Sequence, residues 1–278
     1  MFHRSRRKWG GDLAKHKKKV FVIRSGVVVL SLLVLLISLS FLSKYSKLLI
    51  SEINVSGNSV VSTDDILGVV ERNLSGAHFW LFSKRNIFLY SKKKIESEIR
   101  TEFKKIKDID ISLMDFKNLS LEVTERKPNS MWCGVEFNLA STDCYFLDGD
   151  GFIYSNAPDF SGNVFFKVYG PLPSKNDPIG QNFLPVSKYQ NQTFFNGVVL
   201  QGGLESVALL KLPDNDVEIY FEGGGKAIFN LNQNINKVSN DLISILNDDN
   251  FKNLFNDGER QLDYIDLRFD NRAYYKFK

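Results

Sequence analysis

One uninterrupted apolar run stands out in the pattern of hydrophobic and polar positions. Residues 25–43 contain no charged side chain. A helix over them is roughly 28 Å long at about 1.5 Å per residue, close to the hydrocarbon thickness of a bilayer. The alternative is a cleaved signal peptide, with Ser38-Leu39-Ser40 as a loose cleavage site. Because the run exceeds the about 7–15 residues of a signal core and contains that triplet, we expect a retained transmembrane helix over residues 25–43.

Shorter periodic segments between residues 48 and 126 predict a small α+β domain. Ile53 and Val55 alternate with polar residues, as in a half-buried strand. Gly57-Asn58 permits a turn, and Ser62 then has the residue type of a helix N-cap. The predicted order is strand, helix, helix, strand, strand. Apolar residues at every fourth position predict the two helices, and apolar residues at every second position predict the last two strands: Ile66, Val70, Leu74; Ile95, Ile99, Phe103; Ile109, Ile111, Leu113; and Leu119, Leu121, Val123.

Residues 127–278 have the pattern of a mostly antiparallel β domain with flanking helices. The turn Asp148-Gly149-Asp150-Gly151 between apolar runs is a strong hairpin signal. Near the end of the chain, Tyr264 and Asp266 alternate with Ile265, Leu267 and Phe269, as in a half-buried strand. Strands are predicted over residues 131–135, 144–147, 152–154, 164–169, 207–211, 217–221, 226–229, 262–269 and 273–277, and a helix over residues 235–246.

Charge is distributed unevenly along the chain. Residues 1–24 hold nine Lys and Arg against the single acid Asp12, a net +8, so the remaining residues carry −4. Basic residues before a membrane helix favour a cytoplasmic N-terminus, which places residues 1–24 in the cytoplasm and the domains outside the plasma membrane. We expect the membrane, and no nucleic acid, as the partner of the tail, because these residues show no aromatic interleaving or recognisable nucleic-acid-binding fold.

The chemistry of an active site is scarce in the predicted external part. His78 is the single histidine there, which excludes a catalytic or zinc constellation built on several histidines. Asp148, Asp150 and Gly151 superficially resemble a calcium loop but lack the glycine and glutamate positions of an EF-hand. Gly223-Gly224-Gly225-Lys226 lacks the Walker spacing and is typical of a hairpin turn. We therefore expect no catalytic residue, no cofactor, no metal and no small-molecule substrate.

The two cysteines, Cys133 and Cys144, flank the first predicted hairpin of the β domain. Facing residues on paired antiparallel strands bring their Cβ atoms close to bridging distance. A disulfide is therefore expected, with free buried thiols as the alternative. Zinc would need further ligands nearby, and the sequence offers none.

Three short motifs occur in order along the chain: Glu125-Arg126-Lys127-Pro128 with Trp132, Phe146-Leu147-Asp148 with Asp150-Gly151, and Tyr264-Ile265-Asp266-Leu267-Arg268-Phe269. In this combination the chain resembles the FtsQ/DivIB family of bacterial cell-division proteins. The segment from Ile53 to Asn58, followed by the Ser62 helix start, is similar to the beginning of a POTRA domain. The likeness covers the whole chain: basic tail 1–24, transmembrane helix 25–43, POTRA domain 48–126 and β domain 127–278.

The resemblance implies a non-enzymatic divisome scaffold at the division septum that binds partner proteins and helps control septal cell-wall synthesis. The implied partners are FtsB-like and FtsL-like bitopic division proteins and other divisome components. In that family the FtsB-like partner adds a strand after the Asp-Leu-Arg-aromatic motif. Carried onto this chain, the implied partner-binding residues are Arg268, Phe269, Ala273, Tyr274 and Tyr275. The alternative is that residues 264–275 form only a core hairpin.

The chain departs from the family pattern at two places, and two other classes of function remain as alternatives. Phe269 stands where the family often has Tyr, and residues 76–90 are longer and more aromatic than expected between POTRA helices. A membrane-anchored cell-wall enzyme would need two carboxylates about 5–10 Å apart in a cleft, and the sequence offers no candidate pair. A POTRA-containing secretion or assembly protein would lead into a long barrel, for which the remaining residues are too few.

Overall fold

The computed structural model describes residues 10–256, 260–269 and 272–278 and is mixed α+β, with one long apolar helix followed by a sheet-rich part. Helix α1 covers Gly10–Ser43, and its segment Lys15–Ser43 is long and apolar enough to cross a membrane. The helix begins well before the apolar run 25–43. Lys, Arg, Ala and Leu are good helix formers, so the basic stretch before the run continues the same helix.

The chain divides into two compact units. The first comprises the residues up to Glu102 together with Asp108–Thr124. The second comprises Phe103–Lys107 together with Glu125–Lys278. Local periodicity, which placed the boundary between residues 126 and 127, gives no sign that residues 103–107 group with the later part of the chain.

Beyond α1, the described part of the first unit contains the helices α2 and α3, a three-stranded sheet and the two-stranded hairpin of β2 and β3. The sheet has the order β1-β5-β4, with β1 parallel to β5 and Ile53 beside Leu119. Helix α2 contacts both α3 and β1, so the helices cover one face of the sheet. The elements are β1 Glu52–Ser56, α2 Thr63–Leu74, β2 Ala77–His78, β3 Phe82–Ser83, α3 Lys92–Glu102, β4 Ile106–Leu113 and β5 Asn118–Glu125, of which residues 106–107 and 125 group with the second unit.

At the start of α2, the local sequence determines both the turn after β1 and the first residue of the helix. Ser62 is the N-cap, as predicted, and its hydroxyl accepts a hydrogen bond from the Asp64 N–H at 3.2 Å. The preceding turn requires glycine at position 57, where φ is +84° and an added Cβ would lie 2.1 Å from the Val123 carbonyl oxygen. Ile66, like the other predicted residues of its helical stripe, is buried.

The second unit is built on a mixed nine-stranded sheet of order β14-β13-β12-β11-β10-β9-β6-β7-β8. Five of its strand pairs are antiparallel and three are parallel. The elements are β6 Ser130–Trp132, β7 Tyr145–Leu147, β8 Ile153–Asn156, β9 Phe166–Tyr169, α4 Val186–Gln201, β10 Ser206–Lys211, β11 Asp216–Phe221, β12 Lys226–Asn230, α5 Ile235–Asn247, α6 Asp249–Asn256, β13 Leu262–Asp266 and β14 Tyr274–Phe277.

Helical crossovers explain two of the parallel pairs. Strand β9 reaches its parallel neighbour β10 through α4, and β12 reaches β13 through α5 and α6. The helices bury their apolar side chains against the sheet in the main core, where Phe195 of α4, Leu242 of α5 and Phe251 of α6 meet Leu209 and Phe229. The sequence predicted α5 but neither α4 nor α6.

A smaller cluster lies around the two cysteines. Cys133 and Cys144 are joined, with their sulfur atoms 2.04 Å apart, directly beyond the paired strands β6 and β7. Both are buried together with Met131, Tyr169 and Ala208. The strand predicted over residues 131–135 ends at Trp132, because the left-handed φ of +109° at Gly134 interrupts the extended conformation.

Two of the sequence motifs meet at the turn between β7 and β8. The buried Asp148 carboxylate accepts hydrogen bonds from the Asp150 and Phe152 N–H groups at 2.9 and 3.0 Å. It is also paired with the guanidinium of Arg126, which lies over the Phe152 ring. The Asp148 carboxylate therefore stabilises the turn from inside the unit.

Candidate partner-binding edge

Strand β14 lies at one end of the nine-stranded sheet. Among the residues that the structure describes, its neighbour in the sheet is β13, to which it is antiparallel. Ile265 stands opposite Tyr275, and Asp266 stands opposite Tyr274. A strand at the end of a sheet presents a row of backbone groups that an added strand can pair with.

The register identifies the backbone groups that point away from the sheet. Lys278 directs its N–H toward β13 and donates it to the Gln261 carbonyl oxygen at 2.8 Å. Residues of an antiparallel strand alternate between facing the partner strand and facing away from it. It follows that Tyr274 and Lys276 also face β13, whereas the N–H and C=O groups of Tyr275 and Phe277 point outward.

The opposite end of the sheet, strand β8, is covered by the unit's own chain. The Ile153 N–H donates to the Gln181 carbonyl oxygen at 2.9 Å, and the Ile153 carbonyl oxygen accepts from the Gly180 N–H at 2.8 Å. An isolated bridge between Phe152 and Asn182 extends this cover. The two ends of the sheet therefore differ in how accessible their backbone groups are.

Side chains on the inner face of β14 fix the strand to the core. Tyr275 and Phe277 pack against Phe251, with ring centroids 5.2 and 5.5 Å from its ring. Ala273, just before the strand, packs against the same core. Tyr275 and Ala273 were predicted as partner contacts, but their side chains face the interior, so Tyr275 takes part in the outer edge only through its backbone.

Two aromatic side chains remain on the surface beside this edge. Phe269 and Tyr274 are 49% and 46% exposed, and their rings form a T-shaped pair with centroids 5.2 Å apart. Phe269 lies beyond the end of β13, because that strand stops at Asp266 and not at residue 269 as the alternation predicted. The pair forms an apolar surface next to the outward-facing backbone groups.

Arg268 has an internal role. Its guanidinium donates to both carboxylate oxygens of Asp266, at 2.9 and 2.6 Å, and to the carboxylate of Asp216 at 2.8 Å. Burial alone would raise the pKa of Asp266, but the hydrogen bonds from Arg268 outweigh that effect and lower it. The hydrogen bonds that Arg268 donates, to Asp266 first and to Asp216 second, raise its own pKa. The guanidinium therefore ties β13 to the start of β11.

The structure thus divides the five residues predicted for partner binding. Phe269 and Tyr274 come together on the surface, Ala273 and Tyr275 face the core, and Arg268 holds two strands. The sequence reading missed Asp216, because its partner Arg268 lies 52 residues later. It also missed Phe277, whose outward backbone follows only from the strand register.

An open cavity of about 580 Å³ in the second unit holds a carboxylate pair that bears on enzymatic alternatives. Glu205 and Glu222 line it, and hydrogen bonding to Glu205 raises the pKa of Glu222. Both side chains are exposed and in direct contact, whereas a two-carboxylate hydrolase holds its pair about 5–10 Å apart around the substrate. Within the described ranges, no three His, Cys, Asp or Glu residues form a group that could hold a metal ion.

Comparison with known proteins adds no relative: no protein-family model matches the chain, and no curated protein is significantly similar to it.

Proposed function

We propose that this chain is a single-pass membrane scaffold of the FtsQ/DivIB type that binds an FtsB-like partner by strand addition at β14. One observation carries the proposal: β14 presents its outer backbone groups beside the exposed Phe269–Tyr274 pair, whereas the other end of the same sheet is covered. In this proposal the protein has no catalytic role, and it acts at the division septum by holding partners that control cell-wall synthesis.

Two further features support the membrane and domain parts of the proposal. The apolar helix Lys15–Ser43 follows a basic segment, which favours a cytoplasmic N-terminus and external domains. The first unit has strand, two helices and two strands in the order expected of a POTRA domain, apart from the small hairpin of β2 and β3. FtsL-like and other divisome components are the further partners that the resemblance implies.

The physical basis of docking is the pairing of backbone groups along an edge. A partner strand beside β14 would form hydrogen bonds with the backbone N–H and C=O groups of Tyr275 and Phe277, which point away from β13. The ring pair would supply the side-chain anchor, because aromatic residues that become buried dominate the energetics of many interfaces. The partner would then continue the sheet without rearrangement of β14.

Hydrogen exchange tests the proposed direction of these groups. The full chain in lipid nanodiscs would be mixed with a synthetic peptide from the extracytoplasmic segment of the FtsB-like protein of the same organism. In the free protein, we expect the N–H groups of Tyr275 and Phe277 to exchange faster than those of Tyr274 and Lys276. Binding should slow exchange at the first two and change the last two little. Protection at β4 or β8 without protection at β14 would contradict the proposal.

Substitution of the ring pair gives an independent test. Replacing Phe269 and Tyr274 with Ala should weaken peptide binding at least about tenfold, because two exposed anchors are lost, while the fold is retained. The matched control is Phe194→Ala, since Phe194 is 53% exposed on α4, which contacts β10, four strands from β14. Unchanged affinity in the double variant, or equal loss in the control, would count against the site. Tyr275 is unsuited to this test because its side chain belongs to the core.

A further inference from the structure

The hairpin β2–β3 and the residues after it form an aromatic loop, residues 76–90, in the first unit. Its tip is a turn in which the Leu81 N–H donates to the His78 carbonyl oxygen at 3.0 Å. The two central residues, Phe79 and Trp80, have φ values of +49° and +61°. Positive φ at both central positions is the requirement of a type I′ turn, which strongly favours Asn-Gly. Bulky aromatic residues occupy these positions against their backbone preference.

The packing of the unit gives no reason for these aromatic residues. Phe79 is 86% exposed and Trp80 is 94% exposed, and Phe88, farther along the loop, is 74% exposed. Large apolar side chains at strained backbone positions with no core to enter point to a function outside the unit's own packing.

Hydrogen bonds fix the loop to the last turns of α1. The Ser40 hydroxyl donates to the Leu81 carbonyl oxygen at 2.7 Å, and the Ser83 N–H donates to the Ser43 hydroxyl at 3.3 Å. The Asn86 amide donates to the Ser43 carbonyl oxygen at 3.0 Å and accepts from the Phe88 N–H at 3.0 Å. Both exposed aromatic sites are therefore attached to the end of the helix.

This attachment gives the exposed rings a definite depth. Ser40 and Ser43 begin and end the last four residues of the apolar run, where a membrane-spanning helix would leave the hydrocarbon core. Trp80 is adjacent to Leu81, so it lies at the same level as that last turn. Tryptophan and tyrosine side chains are enriched at this interface, where an apolar body and a polar edge are both accommodated.

We propose that the aromatic loop is a second membrane contact, in which Phe79, Trp80 and Phe88 enter the lipid interface beside α1. The surface that receives these rings is the lipid bilayer. The loop is hydrogen-bonded to the end of the proposed membrane span, and Phe41, which is exposed, lies between Ser40 and Ser43 on the same turn of α1. The loop and the helix together would hold the first unit at a fixed depth and tilt. This inference rests on the membrane-anchoring part of the proposed function.

Tryptophan fluorescence tests the inference in the full chain. The protein carries three Trp residues. Replacing Trp9 with Phe in all samples leaves Trp80 and the buried Trp132, whose Nε1–H donates to the Gly170 carbonyl oxygen. In phosphatidylcholine and phosphatidylglycerol vesicles, brominated lipid should quench part of the emission, and adding Trp80→Phe should remove that part. Quenching of Trp80 by aqueous iodide would overturn the inference. Quenching by neither reagent would also overturn it and would indicate that protein covers the Trp80 side chain.

A turn-compatible variant separates loss of contact from loss of folding. Replacing Phe79 with Asn and Trp80 with Gly introduces the residues that a type I′ turn prefers, so the hairpin should form at least as well. A nitroxide on Phe88→Cys should then become more accessible to an aqueous relaxation agent than in the chain with the natural tip. The control is the same label on Val60→Cys, 66% exposed beyond the other end of β1, which should be water-accessible in both.

The two proposals fail in distinguishable ways. If the chain does not float with the vesicles, the membrane anchor is wrong and the loop inference falls with it. If it floats and Trp80 contacts water, the loop inference alone is wrong. Hydrogen exchange at β14 is a separate readout that neither result changes.

Discussion

Replacing Arg268 with Met distinguishes an internal role of this residue from direct contact with a partner. The substitution keeps much of the aliphatic stem and removes the guanidinium. The carboxylates of Asp266 and Asp216 then lose their shared cation, and their side chains are only 9% and 11% exposed. Removing one partner of a buried ion pair leaves an uncompensated buried charge, so we expect the second unit to lose stability.

The size of this loss in unfolding free energy depends on how exposed the Arg268 side chain is and on the hydrogen bonds that the two carboxylates keep. Full burial would set the cost at about 3–5 kcal/mol. The Arg268 side chain is 39% exposed, and Asp216 keeps a 2.7 Å hydrogen bond from Asn230, so we expect about 2–3 kcal/mol. For a unit of about 150 residues this lowers the melting temperature by about 5–10 °C.

The assay is thermal unfolding of the full chain in nanodiscs, followed by near-ultraviolet circular dichroism. The control is Lys276→Met, which removes an exposed ion pair with Asp263 on the same part of the sheet and should cost less than about 1 kcal/mol. Adding Asp266→Asn and Asp216→Asn to the Arg268 variant should restore part of the stability, because the uncompensated charges are removed. A melting temperature unchanged by Arg268→Met, with partner binding lost, would refute the internal role.

The pH dependence has a definite sign. The pKa of Asp266 is lowered in the folded protein, so its pairing with Arg268 stabilises the fold above the unfolded pKa of about 3.9. That contribution is lost as the pH falls through the folded pKa. The stability difference between the natural chain and Arg268→Met should therefore be full at neutral pH. It should shrink as the pH falls through the pKa of Asp266 in the variant, which burial raises, and vanish below the lowered pKa of Asp266 in the natural chain. A difference independent of pH would contradict the ion-pair explanation.

Three further substitutions test the packing of the second unit. Replacing Cys133 and Cys144 with Ser opens a short loop and should lower the free energy of unfolding by about 3 kcal/mol, measured by denaturant titration beside a reduced natural sample. Gly151→Ala should lower the free energy of unfolding by about 2–4 kcal/mol, because φ is +75° and the new Cβ would lie 2.6 Å from the Tyr189 ring. The control Gly149→Ala, whose new Cβ has no atom within 4 Å, should change it little. Ser239→Ala should stabilise the protein by about 1 kcal/mol in the same titration, since the buried hydroxyl has no hydrogen-bond partner among the described residues and Ala favours the helix. A loss of stability would contradict this.

Periodicity predicted the first unit well because its elements are short and amphipathic. Ser62 is the cap of α2, and Leu119 and its alternate neighbours form the buried face of β5. Helix α4 could not be found in the same way. Its buried positions include the polar Gln192 between Tyr189 and Phe195, so the apolar stripe is interrupted. The helix is instead favoured by the parallel pairing of β9 and β10, which requires a long crossover.

The edge site shows a different limit of sequence reading. Alternation assigned Asp266 to an outer face because an undisturbed strand was expected through residue 269. The register between β13 and β14 shifts between Leu262 and Tyr264, and β13 ends at Asp266, whose carboxylate accepts the Arg268 N–H at 3.1 Å. Such shifts depend on contacts between strands and are invisible in one strand's pattern.

The two ends of the nine-stranded sheet differ in whether the chain covers their backbone groups. A free sheet edge favours unwanted association, so proteins commonly cover or charge it. Here the chain covers β8 with residues 180–183, while β14 keeps outward backbone groups and has an exposed aromatic pair beside it. Lys276 and Lys278, both bridged to Asp263, add the charges that discourage nonspecific pairing. Because no described residue pairs with the outer side of β14, the proposed partner strand could pair there, and a partner with acidic residues opposite these lysines should bind more tightly than its neutral variant.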